Sequence, residues 1–146
     1  MTPMIKQYLE IKSRFEDAIL FYRLGDFYEM FYEDAIEASK LLDLTLTARN
    51  KNDDNPIPLC GIPYHAADNY IAKLIDAGKK VAICEQVSDP KESKGIVKRD
   101  VTKVITPGTV LDEKNLESKQ NNYLLSLFPK NDFYIVAITD VTTGKF

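Results

Sequence analysis

Tryptophan is absent from the 146 residues, and there are only one histidine (His65) and two cysteines (Cys60, Cys84). Two thiols make neither a disulfide framework nor a four-thiolate metal site, which fits a reducing, cytoplasmic setting. A single histidine leaves a Cys–His pair as the one conceivable nucleophilic arrangement. Nothing in the spacing supports it, and His65 within Pro63-Tyr64-His65-Ala66 reads as the start of a helix. The glycines (Gly25, Gly61, Gly78, Gly95, Gly108, Gly144) stand too far apart for a phosphate-cradling loop. Glu33-Asp34 and Asp53-Asp54 read as adjacent surface acidic pairs without metal-ligand spacing. No apolar run approaches the ~18 residues of a membrane span, and Met1 to Lys6 carries no signal-peptide core. The sequence therefore predicts no catalytic residue, no metal, no membrane segment and no secretion.

Net positive charge is also lacking: the chain stands at −3, without the basic footprint of a non-specific nucleic-acid binder. The charge is uneven. Residues 1–48 hold five basic and nine acidic side chains, whereas 91–103 hold Lys91, Lys94, Lys98, Arg99 and Lys103 against Glu92 and Asp100. Such a run most simply forms a solvated face. What is present is ordinary globular material, 45% hydrophobic and 28% charged. A chain of about 150 residues removes roughly 68–70% of its unfolded surface from water.

Thr2 before Pro3 predicts a capped helix whose stripe is Met4, Tyr8, Ile11 and Phe15. Ala18 to Arg23 reads as a buried strand and Leu24-Gly25-Asp26 as a turn. Phe27 to Tyr32 suits strand or helix; its aromatics and the preceding Gly25-Asp26 favour a strand and a hairpin. A helix follows from Glu33 or Asp34, with Ala35, Ile36, Ala38, Ser39, Leu41 and Leu42 on one face. Leu44 to Ala48 alternates like a strand, and Arg49 to Asn55 is an exposed loop. Ile57 to Ile62 is a short apolar piece. Ala66 to Ala77 forms a helix, with Tyr70, Ile71, Leu74 and Ile75 inward and Gly78 past its end. Lys80 to Gln86 and Val97 to Thr106 are further strands. After a polar stretch, Tyr123 to Phe128 and Phe133 onward begin new strands, with a turn at Thr143-Gly144. A strand stopping at Phe146, two residues past that turn, has no complete partner, so the chain is expected to be a fragment of a longer protein.

Gly25-Asp26-Phe27-Tyr28-Glu29 is the informative stretch. In a strand, Phe27, Glu29 and Phe31 point one way and Tyr28, Met30 and Tyr32 the other; in a helix, Phe27 and Glu29 would lie about 200° apart. The strand places an aromatic ring and a carboxylate side by side at a hairpin tip. Composition by itself favours a core aromatic and a solvated edge carboxylate.

Gly25-Asp26-Phe27-Tyr28-Glu29, Gly61-Ile62-Pro63-Tyr64-His65, Ala82-Ile83-Cys84-Glu85-Gln86 and Thr106-Pro107-Gly108-Thr109 together resemble the N-terminal region of the MutS DNA mismatch-repair family. The four motifs occur in order and the likeness runs from Thr2 to Phe146. It implies an α/β (α+β) fold, a mixed β-sheet with flanking helices, followed by the first strands of an RNase H-like connector domain. Residues 1–115 would form the mismatch-recognition domain, 116–121 a linker, and 122–146 the start of the connector. The family's Phe-x-Glu signature falls on Phe27 and Glu29. By the same resemblance Leu24 lies beside the wedge, Arg49 and Lys51 meet phosphates, and Pro58, Leu59 and Gly61 present backbone to the minor groove.

The implied partner is double-stranded DNA carrying a mismatch or a small insertion/deletion loop, gripped together with the rest of a longer chain and a second subunit. No cofactor is implied for these residues; ATP and Mg would belong to an ATPase domain beyond Phe146. The rival expectation is a protein-interaction module that docks a partner by strand addition at an exposed aromatic hairpin edge.

Overall fold

The Thr2 hydroxyl accepts from the Ile5 N–H at 3.4 Å and Pro3 takes the first helical position, so α1 runs Pro3–Lys12 as its capping residues dictate. The computed structural model describes residues 1–50, 55–88, 95–107, 121 and 123–141. In chain order there follow β1 (Ala18–Leu24), β2 (Phe27–Phe31), α2 (Tyr32–Leu42), β3 (Thr47–Arg49) and β4 (Ile57–Pro63). A 3₁₀ turn (Tyr64–Ala66), α3 (Ala67–Asp76), β5 (Lys80–Gln86) and β6 (Arg99–Ile105) complete a first unit, Met1–Thr109.

Its sheet has the order β3-β4-β2-β1-β5-β6. β1 and β5 are parallel and every other neighbouring pair is antiparallel, so the sheet is mixed. Registers Tyr22↔Glu29, Glu29↔Gly61 and Tyr22↔Cys84 define one face; Arg23↔Tyr28 and Tyr28↔Ile62 define the other. Ile5, Tyr8 and Ile11 of α1 bury Leu20, Tyr22, Phe31, Ala82 and Cys84 on the first face. The second face carries Phe21, Met30, Cys60, Ile62 and Val81, all buried, and α2 and α3 pack on β4 and β5. This is the α+β architecture, a mixed sheet with helices on it, that the sequence leads one to expect.

Several local expectations need correction. The strand foreseen at Leu44 to Ala48 shrinks to Thr47–Arg49. Asp43 takes φ +54 and the Leu44 N–H returns to the Ser39 carbonyl (2.9 Å), so Leu44 closes the end of α2 instead of opening a strand. Arg49, assigned to a loop, ends β3. On α2, Leu41 is exposed, while Asp34, read as a surface acid, is buried. Arg99 of the basic run is buried as well: its guanidinium donates to the Arg23 and Val97 carbonyls (2.7 and 3.0 Å) and lies 5.0 Å over the Tyr22 ring. That segment is therefore not simply a solvated face. Lys51 and the turn at Thr143-Gly144 lie outside the described residues.

A second unit, Val110–Phe146, contains β7 (Tyr123–Lys130) and β8 (Phe133–Asp140), an antiparallel hairpin turned at Asn131-Asp132. Leu125, Leu127, Val136 and Ile138 are exposed on one of its faces, Leu124, Phe128 and Ile135 on the other.

Asp34 anchors the first unit. Its carboxylate accepts from the Leu20 N–H (2.9 Å), lies 3.1 Å from the Tyr8 hydroxyl and pairs with Lys12 Nζ at 2.9 Å. Removing a buried, bonded carboxylate strands its donors, at a cost of about 3 kcal/mol. Asp34→Ala is therefore expected to lower the unfolding free energy in urea by about 3 kcal/mol, and Tyr8→Phe by about 1 kcal/mol.

Candidate nucleic-acid interface

Two residues, Gly25 and Asp26, join β1 to β2, and Leu24 faces Phe27 across them. Such a loop requires a positive φ matched to the strand twist, and Gly25 provides it at +57. The tip is tied down from the 3₁₀ turn that follows β4, because the Tyr64 N–H donates to the Asp26 carbonyl at 2.9 Å.

Along β2 the first face passes from covered to bare. Phe31 is fully buried, with the Tyr8 ring of α1 4.9 Å away. Glu29, one pleat further on, is half-buried. Phe27, at the end, is 47% exposed. Its intervening neighbours Tyr28 and Met30 point into the opposite layer.

Glu29 Oε2 is buried without a hydrogen-bond partner, the only such side-chain atom among the described residues. Burial pushes its carboxyl above the ordinary glutamate value, and the Arg49 charge opposes that shift. Gly61 lies directly across from Glu29. A Cβ there would sit 3.3 Å from the Tyr28 carbonyl oxygen, 3.5 Å from Glu29 Cγ and 3.7 Å from Phe27 Cδ1. The bare glycine thus spares the Tyr28 carbonyl a tight contact, with the ring and the carboxylate both lying over Gly61.

The structure brings Leu24, Phe27, Glu29, Leu59 and Gly61 onto one face. Leu24 is half-buried against the core under α1, and Leu59 is opposite Phe31. Arg49, on the edge strand β3, shares that face through its pairing with Ile57, and its Nη1 lies 3.5 Å from Met4 Sδ. Pro58 alternates to the opposite face, across from Ala48, so its side chain does not join the others.

Sequence reasoning passed over the cluster behind the tip. Arg23 stacks 3.8 Å over the Tyr64 ring and lies 3.8 Å from Glu85, which accepts a hydrogen bond from the Tyr28 hydroxyl. Burial, with that bond, pushes the Tyr28 hydroxyl up to about 12. A lone cation in the apolar run Ala18–Leu24 was the available signal.

Two alternatives lose support. Strand addition at the aromatic hairpin needs a free edge, but β2 is interior, paired to β1 on one side and β4 on the other. A Cys–His centre fails on geometry: Cys60 faces α2 with its thiol 3.5 Å from the Ala35 carbonyl, Cys84 faces the α1 layer, and His65 is exposed. Burial pushes the two thiols up to about 11 and about 12, away from the thiolate. Among the described residues no cluster of three or more His, Cys, Asp or Glu is placed to hold a metal, and no helix is long and apolar enough to cross a membrane.

Residues 2–114 match the family model of MutS domain I. The DNA mismatch repair protein MutS of Staphylococcus epidermidis is 57% identical over 145 residues, covering 99% of this chain and 16% of that protein. The proteins of the same name from Staphylococcus haemolyticus and Staphylococcus aureus are 55% and 54% identical over 144 and 145 residues, again across 99% of this chain. The chain spans about a sixth of the length of these curated relatives, 16–17%.

The burial of Glu29 has a consequence for stability. A folded-state pKa raised above the unfolded one means a contribution that is fully present below the ordinary glutamate value of about 4.3 and lost as pH rises through the folded value. Glu29→Gln removes the charge at similar size. The variant is expected to be more stable than the parent to urea at pH 7, with the difference vanishing below about pH 4; a less stable variant at pH 7 contradicts the assignment.

Proposed function

Because the chain belongs to the MutS family of DNA mismatch-repair proteins, we propose that its first unit is the mismatch probe of a longer protein, with Phe27 as wedge and Glu29 as the group that engages the displaced base. One observation carries this reading: an exposed ring and a buried, unpaired carboxylate oxygen share the uncovered end of one sheet face.

Phe27 enters the minor groove and stacks on a mispaired or unpaired base. Stacking is worth about 1–3 kcal/mol per base and is indifferent to base identity, as a detector of many lesions requires. Insertion unstacks one step and kinks the duplex by about 20–90°. Selectivity comes from deformability, since a mispaired step costs less to open than a paired one. Glu29 supplies the polar half. Ionised, it only accepts; protonated, it donates to an acceptor such as a purine ring nitrogen. Burial already favours the protonated form, and approaching phosphates favour it further. On intact DNA, where no displaced base meets it, the carboxylate repels.

Leu24 and Leu59 flank the wedge, Gly61 permits close backbone approach, Pro58 contributes backbone only, and Arg49 with Lys51 contacts phosphates. At net charge −3 the chain cannot hold a duplex by counterion release. Affinity is supplied by the remainder of the longer protein and a second subunit, acting in the cytoplasm, where an ATPase domain uses ATP and Mg. The recognition domain spans 1–115 and the linker 116–121. From 122 the connector begins, and β7 and β8 are its first strands.

Amide shifts of the labelled chain, titrated at low salt with a duplex bearing one unpaired thymine and with its matched control, test the reading. Shifts centred on Phe27, Glu29 and Arg49, larger for the unpaired base and lost in Phe27→Ala, are expected; no shift with either duplex at millimolar concentration contradicts it. Glu29→Gln is expected to gain affinity for matched DNA, and a gain confined to mismatched DNA would sink the repulsive role.

A further inference from the structure

The probe sits at the end of a hairpin, where strands fray and where a two-residue loop offers few bonds of its own. Stacking on DNA from a ring that first has to be ordered loses part of its worth to that ordering. Something must hold the tip, and the side of the sheet away from Phe27 holds it. Arg23 pairs with Tyr28 across the hairpin, so both side chains stand on the face opposite Phe27 and Glu29. Arg23 Nε donates to the Gly25 carbonyl at 2.5 Å, within the loop itself. Its guanidinium lies 3.8 Å over the centre of the Tyr64 ring and 5.5 Å over that of Tyr28. Nη1 is 3.8 Å from Glu85 on β5. From the α1 face, the buried Arg99 donates to the Arg23 carbonyl at 2.7 Å. Tyr64 in turn donates its N–H to Asp26 at 2.9 Å. The planar cation therefore joins loop carbonyl, β4 exit and β5 carboxylate, a set of contacts that an ammonium cannot make together.

We infer that Arg23, stacked on Tyr64, is a positioning residue that locks the Gly25-Asp26 tip and fixes Phe27 in its exposed pose. The lock is a property of the free protein; its use in discrimination rests on the reading of Phe27 as the wedge. Arg23 shares no face with the wedge, so its effect on recognition passes through the loop.

Hydrogen exchange of the Tyr64 amide, bonded to Asp26, reads the lock without DNA, and the Leu20 amide, bonded to Asp34, serves as the control. Arg23→Met and Tyr64→Leu are expected to lower Tyr64 protection about tenfold with Leu20 unchanged. Tyr64→Phe, which keeps the ring face, is expected to retain it. Unchanged protection in Arg23→Met and Tyr64→Leu overturns the inference; so does equal loss in Tyr64→Phe and Tyr64→Leu, which assigns the effect to the hydroxyl. With DNA, Arg23→Met is expected to shrink the shift difference between mismatched and matched duplex at least threefold. A full difference in a variant whose Tyr64 amide has lost protection overturns the role in discrimination. If Phe27→Ala leaves the duplex response intact, the wedge reading falls, and Tyr64 protection still decides the lock.

Discussion

Where β2 stops pairing with β1, a carboxylate takes over, and the arrangement of the first unit depends on that substitution. The β1–β2 ladder reaches Tyr22↔Glu29; at Leu20 the N–H goes instead to Asp34 in the first turn of α2. The same carboxylate meets the Tyr8 hydroxyl and Lys12 of α1, so one side chain ties sheet, α1 and α2 together. The junction is strained, with Tyr32 at φ +53, a conformation costly for a bulky residue. Tyr8, which also reaches the Phe31 carbonyl at 3.2 Å, holds it there. Fixing α1 over Leu20 and Phe31 decides what it leaves uncovered further along β2. Phe27, further along β2, lies outside the core packed under α1 and is exposed.

Four residues separate two carboxylates, Glu29 and Asp34, that burial treats in opposite ways. Asp34 is sealed in and fully engaged; Glu29 is half-buried and leaves one oxygen with no donor. Proteins rarely leave a buried polar atom without a partner, since doing so forfeits roughly 1–3 kcal/mol of solvation. The chain could have placed an apolar side chain there at no such cost. Gly61 points the same way: a glycine within a strand weakens it, yet here a Cβ would press on the Tyr28 carbonyl oxygen at 3.3 Å, beside Glu29 and Phe27. Two locally unfavourable choices made across one strand pair are best understood through what that spot engages.

Periodicity made most of the scaffold legible: the cap at Thr2, the hairpin at Gly25-Asp26 and the strand Lys80 to Gln86 each declare themselves within a few residues. So did the shared face of Phe27 and Glu29, because alternation needs only a correct strand assignment. What stayed hidden depends on partners distant in sequence. Asp34 looks like any first-turn acid until Tyr8 and Lys12 are folded over it. Arg99 looks like one more charge in a basic run, but the carbonyl it satisfies lies 76 residues away. Leu44 alternates like a strand residue and is claimed by the helix end. The placement of β2 inside the sheet, which removes the edge that strand addition requires, follows from β4 crossing to its far side, a topological fact with no local signature. The family resemblance pointed to Phe27 and Glu29 directly and said nothing of Arg23 on the opposite face.

The acidic balance bears on how such a probe could work. Phosphate neutralisation supplies most of non-specific DNA affinity, so a basic probe would bind every base pair and report little about any one. On the proposed reading, a probe that is acidic overall, with the Glu29 carboxyl pushed up by burial, gains nothing from intact duplex and is repelled by it. On the same reading, the interaction becomes favourable only where a base yields to the ring and accepts a hydrogen bond from protonated Glu29. Grip and discrimination are then separate: affinity lies, on that reading, with the remainder of a longer protein, and these residues supply a difference of a few kcal/mol, the scale that one stacked base and one hydrogen bond provide. For a difference that small, the order of the tip matters as much as its chemistry, which is why the cation behind the hairpin belongs to the same account as the ring in front of it.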